Sequence, residues 1–266
     1  MRLANRVAIV VGAGQSPGEG TGNGRATAIT FARAGAAVLC VDHHLESAQE
    51  TVELINREQG IAAAFRADVT SEAQLQAMVA DAHKRWGRVD ILHNNVGVSI
   101  AGGDAVLAEL TEANFDRVVA INLRGTIMAC KHVIPIMRAQ GGGAIVNISS
   151  TAAWMVYPYV AYKATKAAMI AFTQQLAIQN APFGIRANAI LPGLMNTPMA
   201  VDTRARAFNK PRAEVEAERD AQVPLRKKMG TAWDVANAAL FLASDDAGFI
   251  TGVSLPVDGG ASVRLG

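Results

Sequence analysis

Seven short runs of mostly apolar, often β-branched residues recur along the chain, and longer segments with helical periodicity fill the intervals. The runs are "VAIVVG" (7–12), "AVLCVD" (37–42), "AAAFRADV" (62–69), "DILHNN" (90–95), "GAIVNIS" (143–149), "RANAIL" (186–191) and "GVSLPVD" (252–258). The helical segments are 24–34, 45–58, 71–86, 111–138, 158–181 and 231–243. A strand that is apolar on both sides must be covered on both faces, and alternating helices supply the cover. The pattern therefore predicts an α/β fold whose parallel sheet lies between two helical layers. Half of the 266 residues are hydrophobic, enough for one sizeable core. No repeat, low-complexity linker or domain boundary divides the chain, so 1–266 reads as a single domain. The segment 196–224 breaks the rhythm: it is charged, carries Pro198, Pro211 and Pro224, and has no strand pattern. Such a late insertion reads as a substrate lid, spanning about 194–224.

Several function classes are disfavoured at once. A net charge of +2 without a basic, aromatic-studded run argues against a nucleic-acid partner. Cys40 and Cys130 form no CxxC pair, so neither a metal site nor a disulfide framework is expected. No apolar stretch approaches the roughly 18 residues of a membrane span. The opening "MRLANRVAIVVGAG" runs straight into the first strand without a signal-peptide pattern, and a cytoplasmic protein is expected.

The first strand leads into a loop, Gly12 to Gly24, with six glycines in thirteen residues. A strand, a glycine-rich turn and a helix suit a dinucleotide: glycine lets the backbone approach a pyrophosphate, and the helix N-terminus supplies free N–H groups. Asp42 closes the second strand, 18 residues beyond Gly24, where a carboxylate can accept hydrogen bonds from both ribose hydroxyls of NAD and would repel the 2′-phosphate of NADP. No Lys or Arg precedes Arg25 in the loop to offset that repulsion. The bland alternative makes Asp42 an ordinary strand-end cap.

Chemistry is concentrated in "NISSTAAWMVYPYVAYKATKAAM". Tyr162 and Lys166 are four apart on a predicted helix and share a face. A nearby ammonium favours phenolate and lowers the pKa of a tyrosine from about 10, making it a usable acid/base. Ser150, at the end of the preceding strand, can donate a hydrogen bond to a carbonyl oxygen. The same spacing also occurs in Tyr159 and Lys163, so the pair alone does not identify the site.

These segments together resemble the short-chain dehydrogenase/reductase family over roughly residues 5–262. "AYKATKAAM" is similar to its active-site helix and selects Tyr162 and Lys166. "NISS" resembles its serine segment; Ser150 and Ser149, 12 and 13 residues before Tyr162, both suit the spacing, and the family's habit of placing the serine last favours Ser150. "NNVG" (94–97) supplies Asn94, "INLRG" (121–125) supplies Asn122, and "DV" matches an adenine-contacting pair, Asp68 and Val69. "PGLMNTPM" (192–199) matches the segment that holds the nicotinamide carboxamide, implicating Met195 and Thr197. "GFITGVSLPVDGG" (248–260) resembles the family's last strand. The resemblance implies a doubly wound Rossmann fold with a seven-stranded sheet, NAD as cofactor, and Tyr162, Lys166, Ser150 and Asn122 as the catalytic set. It implies a small alcohol or ketone as substrate. It also implies a homo-tetramer that pairs the helices 111–138 and 158–181, and the final strands.

The chain departs from the family in two places. Val11 stands where a threonine is usual. The glycine loop is longer: deleting "QSPGEG" (15–20) leaves "GAGTGNGRA", in register with the family pattern GAGxGxGRA. Gly12, Gly22 and Gly24 then keep the three glycine roles and Asn23 faces the pyrophosphate, while the excursion is expected to run outward near the adenosine side. Trp154, Met155, Tyr157, Met195 and Met199 suggest a partly apolar pocket, and the Met and Trp residues read equally well as simple packing. One of Arg204, Arg206, Arg212 and Arg219 in the lid could meet a carboxylate, but a solvated helix face is the favoured reading. Two competing functions are a 3-oxoacyl thioester reductase using NADPH, which Asp42 disfavours, and a nucleotide sensor without chemistry, which the complete catalytic set disfavours.

Overall fold

The computed structural model describes residues 1–264. In chain order its elements are β1 (Val7–Val11), α1 (Asn23–Arg33), β2 (Ala37–Asp42), α2 (Leu45–Arg57), β3 (Ile61–Arg66), α3 (Glu72–Trp86) and β4 (Ile91–Asn94). There follow α4 (Glu112–Val119), α5 (Gly125–Gln140), β5 (Gly143–Ile148), α6 (Val160–Asn180), β6 (Ile185–Pro192) and β7 (Met195–Asn196). The chain ends with α7 (Asp202–Phe208), α8 (Arg212–Asp220), β8 (Gly230–Thr231), α9 (Ala232–Ala243) and β9 (Ser254–Val257). Seven strands form one parallel sheet in the order β3-β2-β1-β4-β5-β6-β9. This is the doubly wound Rossmann fold. The strand order reverses between β1 and β4, and the carboxyl ends of the strands flanking that point open the crevice where such folds bind ligands.

The apolar strands divide their side chains between the two faces by the two-residue period of a strand. Ala8, Val10, Val38, Cys40 and Val146 join the core under α1 and α9. Ile9, Val11, Leu39, Val41 and Ile145 join the core under α3, α5 and α6. Both cysteines are free and buried in these cores, and burial pushes each thiol up to about 12, which leaves them inert. Among the described residues no cluster of candidate metal ligands occurs, and no helix is long and apolar enough to cross a membrane.

Two departures from the predicted elements lie at the site. The predicted helix 111–138 is helical over Glu112–Gln140 but widens to a π-turn at Ala120–Arg124. Gly125, directly after it, is needed because a Cβ there would lie 2.8 Å from the Val69 carbonyl oxygen. The lid, expected to hold no strand, begins with the two-residue β7, which pairs in parallel with β8. Its helices α7 and α8 close around a small core of Val201, Val215, Val223 and Met229.

Candidate active site

The glycine loop is built around one close approach. A Cβ on Gly24 would lie 1.8 Å from the Gly12 carbonyl oxygen, so the first turn of α1 presses directly on the end of β1. Gly12 itself has φ +82°. Asn95 Nδ2 donates to the Gly12 carbonyl at 3.1 Å and pins the turn from β4; nothing in the sequence distinguished it from Asn94. The first turn of α1 has no side-chain cap and no acidic residue, which leaves its N–H groups free for an anion. The Asn23 Oδ1 is buried there without a partner. Asp42 borders the loop: its Oδ2 accepts from Gly14 N at 3.1 Å and its Oδ1 from His44 N at 3.1 Å. The strand-end-cap role is thus real, and carboxylate lone pairs remain for a ribose. Glycines that no side chain could replace, an uncapped helix end and an orphaned amide fit a pyrophosphate and its flanking ribose.

The remaining cofactor candidates line the same carboxyl edge. Thr70 donates its backbone N–H and its hydroxyl to Asp68, holding that carboxyl below its usual range. Val69 and Asn94 share a narrow crevice with Val11, Val96 and Gly125. Asn94 also spends its Nδ2 on Asn147 Oδ1 at 2.9 Å, bracing β4 against β5. Thr197 is buried and its Oγ1 accepts from Ala200 N, so it starts the lid. Met195 is buried in the core, so its side chain is no pocket wall as the sequence suggested.

At the end of β5 the two candidate serines separate. Ser149 is buried and donates to the Lys166 carbonyl at 2.7 Å. The Ser150 Oγ accepts from Ala152 N at 3.1 Å, and the hydroxyl acts on the Tyr162 phenol, opposing the rise in its pKa. The two tyrosine–lysine pairs separate as well: Lys163 Nζ is spent on the Ala152 and Met155 carbonyls, which removes the decoy pair. Lys166 is buried, and its Nζ donates to the Ile148 carbonyl at 2.7 Å and lies 5.6 Å from the Tyr162 ring centre. Asn122, in the π-turn, is fully buried; its Oδ1 accepts from Val98 N at 2.7 Å, and its Nδ2 donates to Val98 O and to Thr165 Oγ1. A Cβ at Gly97 would lie 3.1 Å from Lys166 Nζ and 3.6 Å from Asn122 Oδ1, so both groups border Gly97.

Electrostatics differ from the sequence-based expectation. Burial dominates both members of the pair: it pushes Tyr162 up to about 12 and Lys166 down to about 8. Opposing the rise in Tyr162 are the Ser150 hydroxyl and two positive charges, Arg204 and Arg219; Lys166 is not among them. The lysine is held by a main-chain carbonyl instead. The lid arginines are therefore not one solvated face: Arg206 is exposed, whereas Arg204 and Arg219 are half-buried beside the tyrosine.

One further residue emerges only in three dimensions, and a sequence-predicted pocket residue, Tyr157, finds its place. Asp104 is buried and accepts from the Ala161 and Tyr162 N–H groups at 2.9 and 2.8 Å. It thereby caps the N-terminus of α6, whose own N-cap residue Tyr159 makes no side-chain cap. Tyr157 bonds Ser99 Oγ at 3.0 Å, and its ring lies 5.3 Å from that of Tyr162. An aspartate 58 residues before the tyrosine whose N–H it accepts leaves no local signal.

The six-residue excursion takes a different course from the one expected. Gln15 closes its neck: Oε1 accepts from Gly22 N at 3.1 Å and Nε2 donates to Gly20 O at 3.4 Å. The excursion then docks on the lid rather than running outward. Glu19 N donates to Asp202 Oδ1 at 3.2 Å, and Arg206 Nη1 donates to Pro17 O at 3.2 Å. Gly18, at φ +148°, lies so close to Asp202 that a Cβ would sit 2.4 Å from its Cγ.

The chain is similar to known proteins over nearly its whole length. A family model described as enoyl-(acyl carrier protein) reductase matches residues 19–262. The chain is 35% identical over 257 residues to the 2-(R)-hydroxypropyl-CoM dehydrogenase of Xanthobacter autotrophicus, covering 96% of this chain and 98% of that one. The crystal structure of a short-chain dehydrogenase/reductase from Burkholderia xenovorans superposes with a TM-score of 0.90 at 43% identity, over 100% of this chain and 99% of that one. A 7α-hydroxysteroid dehydrogenase solved with NADH and 7-oxo glycochenodeoxycholic acid superposes with a TM-score of 0.86 at 34% identity, over 100% and 97% of the two chains.

Deleting Gln15–Gly20 is expected to leave a folded protein that still binds a dinucleotide, because the shortened loop closes in register. Loss of one or two lid hydrogen bonds, about 1.4 kcal/mol in all, should raise the KM for the second substrate about tenfold. Steady-state kinetics with calorimetric titration of the dinucleotide checks this. Abolished dinucleotide binding would place the excursion in the phosphate cradle.

Proposed function

The chain belongs to the short-chain dehydrogenase/reductase family, and on that premise we propose that it is a cytoplasmic, NAD-dependent oxidoreductase interconverting a secondary alcohol and its ketone. The observation that carries the reading is the meeting of Ser150, at the end of β5, with Tyr162 on α6, whose phenol it acts on, and with Lys166 buried one helical turn further along. Gly12, Gly22, Asn23 and Gly24 would hold the pyrophosphate, Asp42 the adenosine ribose, and Asp68 and Val69 the adenine. Asn94, Tyr162 and Lys166 would hold the nicotinamide ribose, with Met195 and Thr197 at the carboxamide. NAD, when bound, supplies the hydride acceptor, and NADH the donor.

The chain's own residues handle the proton. In reduction, the Tyr162 phenol gives its proton to the oxygen of the former carbonyl, which becomes the hydroxyl of the product alcohol. In oxidation, the Tyr162 phenolate takes that proton. Ser150 donates a hydrogen bond to the same oxygen, fixing it and stabilising the charge that develops on it. Lys166 restores and orients the tyrosine's proton relay, and Asn122 holds the neighbouring Val98 backbone that walls the lysine. Two free, buried cysteines suit a reducing compartment. The lone pairs left on Asp42 support NAD over NADP, which weighs against an NADPH-linked thioester reductase.

Tyr162→Phe is expected to lower turnover about 10²- to 10⁴-fold while the protein still binds NAD, and Tyr159→Phe to stay in the wild-type range. The sign of the pH dependence follows from burial. With Tyr162 pushed up to about 12, the phenol dominates at neutral pH. Ketone reduction, which uses the phenol, should hold through neutrality, and alcohol oxidation, which uses the phenolate, should climb into the alkaline range. Rate profiles in both directions test this; equal rates for the two tyrosine variants would overturn the assignment.

For the cofactor, kcat/KM with NAD should exceed that with NADP by about 100-fold, equivalent to about 2.7 kcal/mol. Asp42→Ala should narrow the ratio by weakening NAD and relieving repulsion of the phosphate. A wild-type preference for NADP refutes this reading of Asp42.

The assembly follows the family expectation of a homo-tetramer, built on the α4–α5 and α6 helices and on the edge strand β9. Phe115, Ile178 and Phe249 are exposed on or beside these elements, which supports the proposal. Sedimentation equilibrium at micromolar concentration is expected to give a tetramer; a monomer would refute it.

A further inference from the structure

The four lid arginines divide by what they face. Arg206 points to solvent and the excursion. Arg212 is tied down by Glu216 at 2.7 Å, Asp202 at 3.5 Å and Asn196 at 2.9 Å. Arg204 and Arg219 are different. Helical spacing turns both inward: Arg219 lies four residues after buried Val215 on α8, and Arg204 three after buried Val201 at the start of α7. Among the described residues neither has a salt-bridge partner within 4.0 Å, although both lie beside Tyr162. Arg204 Nη1 donates to the Ala200 carbonyl, which anchors the guanidinium to the lid backbone. The Arg219 Nε is shut off from solvent and has no hydrogen-bond partner.

The groups that act on Arg219 are Arg204, Tyr157 and Tyr162; no carboxylate is among them. Burial, with the like charge of Arg204 behind it, pushes Arg219 down to about 10. A half-buried guanidinium facing another guanidinium is costly without an anion. Within the same lid, Arg212 also buries an Nε without a hydrogen-bond partner, but its charge is compensated by the Glu216 and Asp202 carboxylates. The missing partner of Arg204 and Arg219 is therefore external. The planar fork of an arginine matches a carboxylate in two parallel hydrogen bonds.

We propose that Arg204 and Arg219 form an anion subsite of the substrate pocket, beside Tyr162, which receives the carboxylate of a hydroxy acid or of the corresponding oxo acid. The subsite's place next to the reacting oxygen rests on the proposed function; its anion binding does not. It puts the acid group and the carbinol of one small molecule under the closed lid, with the positive charges also opposing the rise in the Tyr162 pKa.

Two measurements test it. In the first, malonate and inorganic phosphate are titrated calorimetrically into the NADH-loaded protein, so that the dinucleotide cradle is filled. Malonate should bind, and Arg219→Gln and Arg204→Gln should each weaken it at least about tenfold. Arg219→Lys, which keeps the charge and loses the fork, should lie between and guards against a folding defect in the glutamine variant. In the second, hydroxy acids are compared with their methyl esters under NAD. The acid should have the higher kcat/KM, and the acid-to-ester ratio should shrink in both glutamine variants. Absence of malonate binding, binding unchanged in both variants, phosphate bound more tightly than malonate, or esters used as well as acids would each overturn the proposal. Arginine-dependent malonate binding without turnover of any alcohol would instead overturn the dehydrogenase reading and leave the subsite standing.

Discussion

The contact between Gly24 and the carbonyl of Gly12 is the constraint on which the rest of the molecule depends. It lets α1 start against the end of β1 with no side chain between them. That seating buries Ala28, Ile29, Phe31 and Ala32 against the sheet and against α9. The same contact aims the uncapped first turn of the helix at the strand-order reversal. Packing and anion binding thus have one origin: a backbone approach that only glycine permits. Asn95 secures it from the neighbouring strand, which links the phosphate loop to the segment that borders Lys166.

Burial sets the titration of Tyr162 and Lys166 more than their proximity to each other does. One apolar environment raises a phenol and lowers an ammonium, because it penalises the charged form of each. The two titrations are therefore driven apart: at neutral pH the phenol keeps its proton, while the lysine loses its own more readily than a free amine, and neither shift is caused by the other. The tyrosine is tuned by its serine partner and by the arginines of the lid, while the lysine rests on the Ile148 carbonyl. Asp104 adds mechanical definition by holding the first N–H groups of α6, so the position of Tyr162 is referenced to the loop after β4.

The lid and the phosphate loop are joined by the excursion. A segment that replaces nothing in the fold has Gln15 as its clasp and Asp202 as its landing point. Asp202 is itself buried and begins α7, the helix that carries Arg204. Glycine loop, lid and the inward arginines therefore form one connected structure.

The sheet, its two helical layers and the catalytic helix were legible in the residues, because each depends on a local period: apolar strands covered on both faces, and a tyrosine and lysine one turn apart. The predicted strand 37–42 matches β2, and predicted helix 231–243 begins one residue before α9. Spacing and family resemblance pointed to Tyr162 and Ser150. Only the tertiary structure supplied physical reasons for choosing them, by spending Lys163 on loop carbonyls and Ser149 on the Lys166 carbonyl. It also decided what depends on contacts between distant segments: the course of the excursion, the capping of α6 by Asp104, and the division of the four lid arginines. An arginine's residue type predicts a solvated head, and that prior holds for Arg206. For Arg204 and Arg219 it fails, because the inward face of a lid helix is set by which of its neighbours pack, and those neighbours lie far away in sequence.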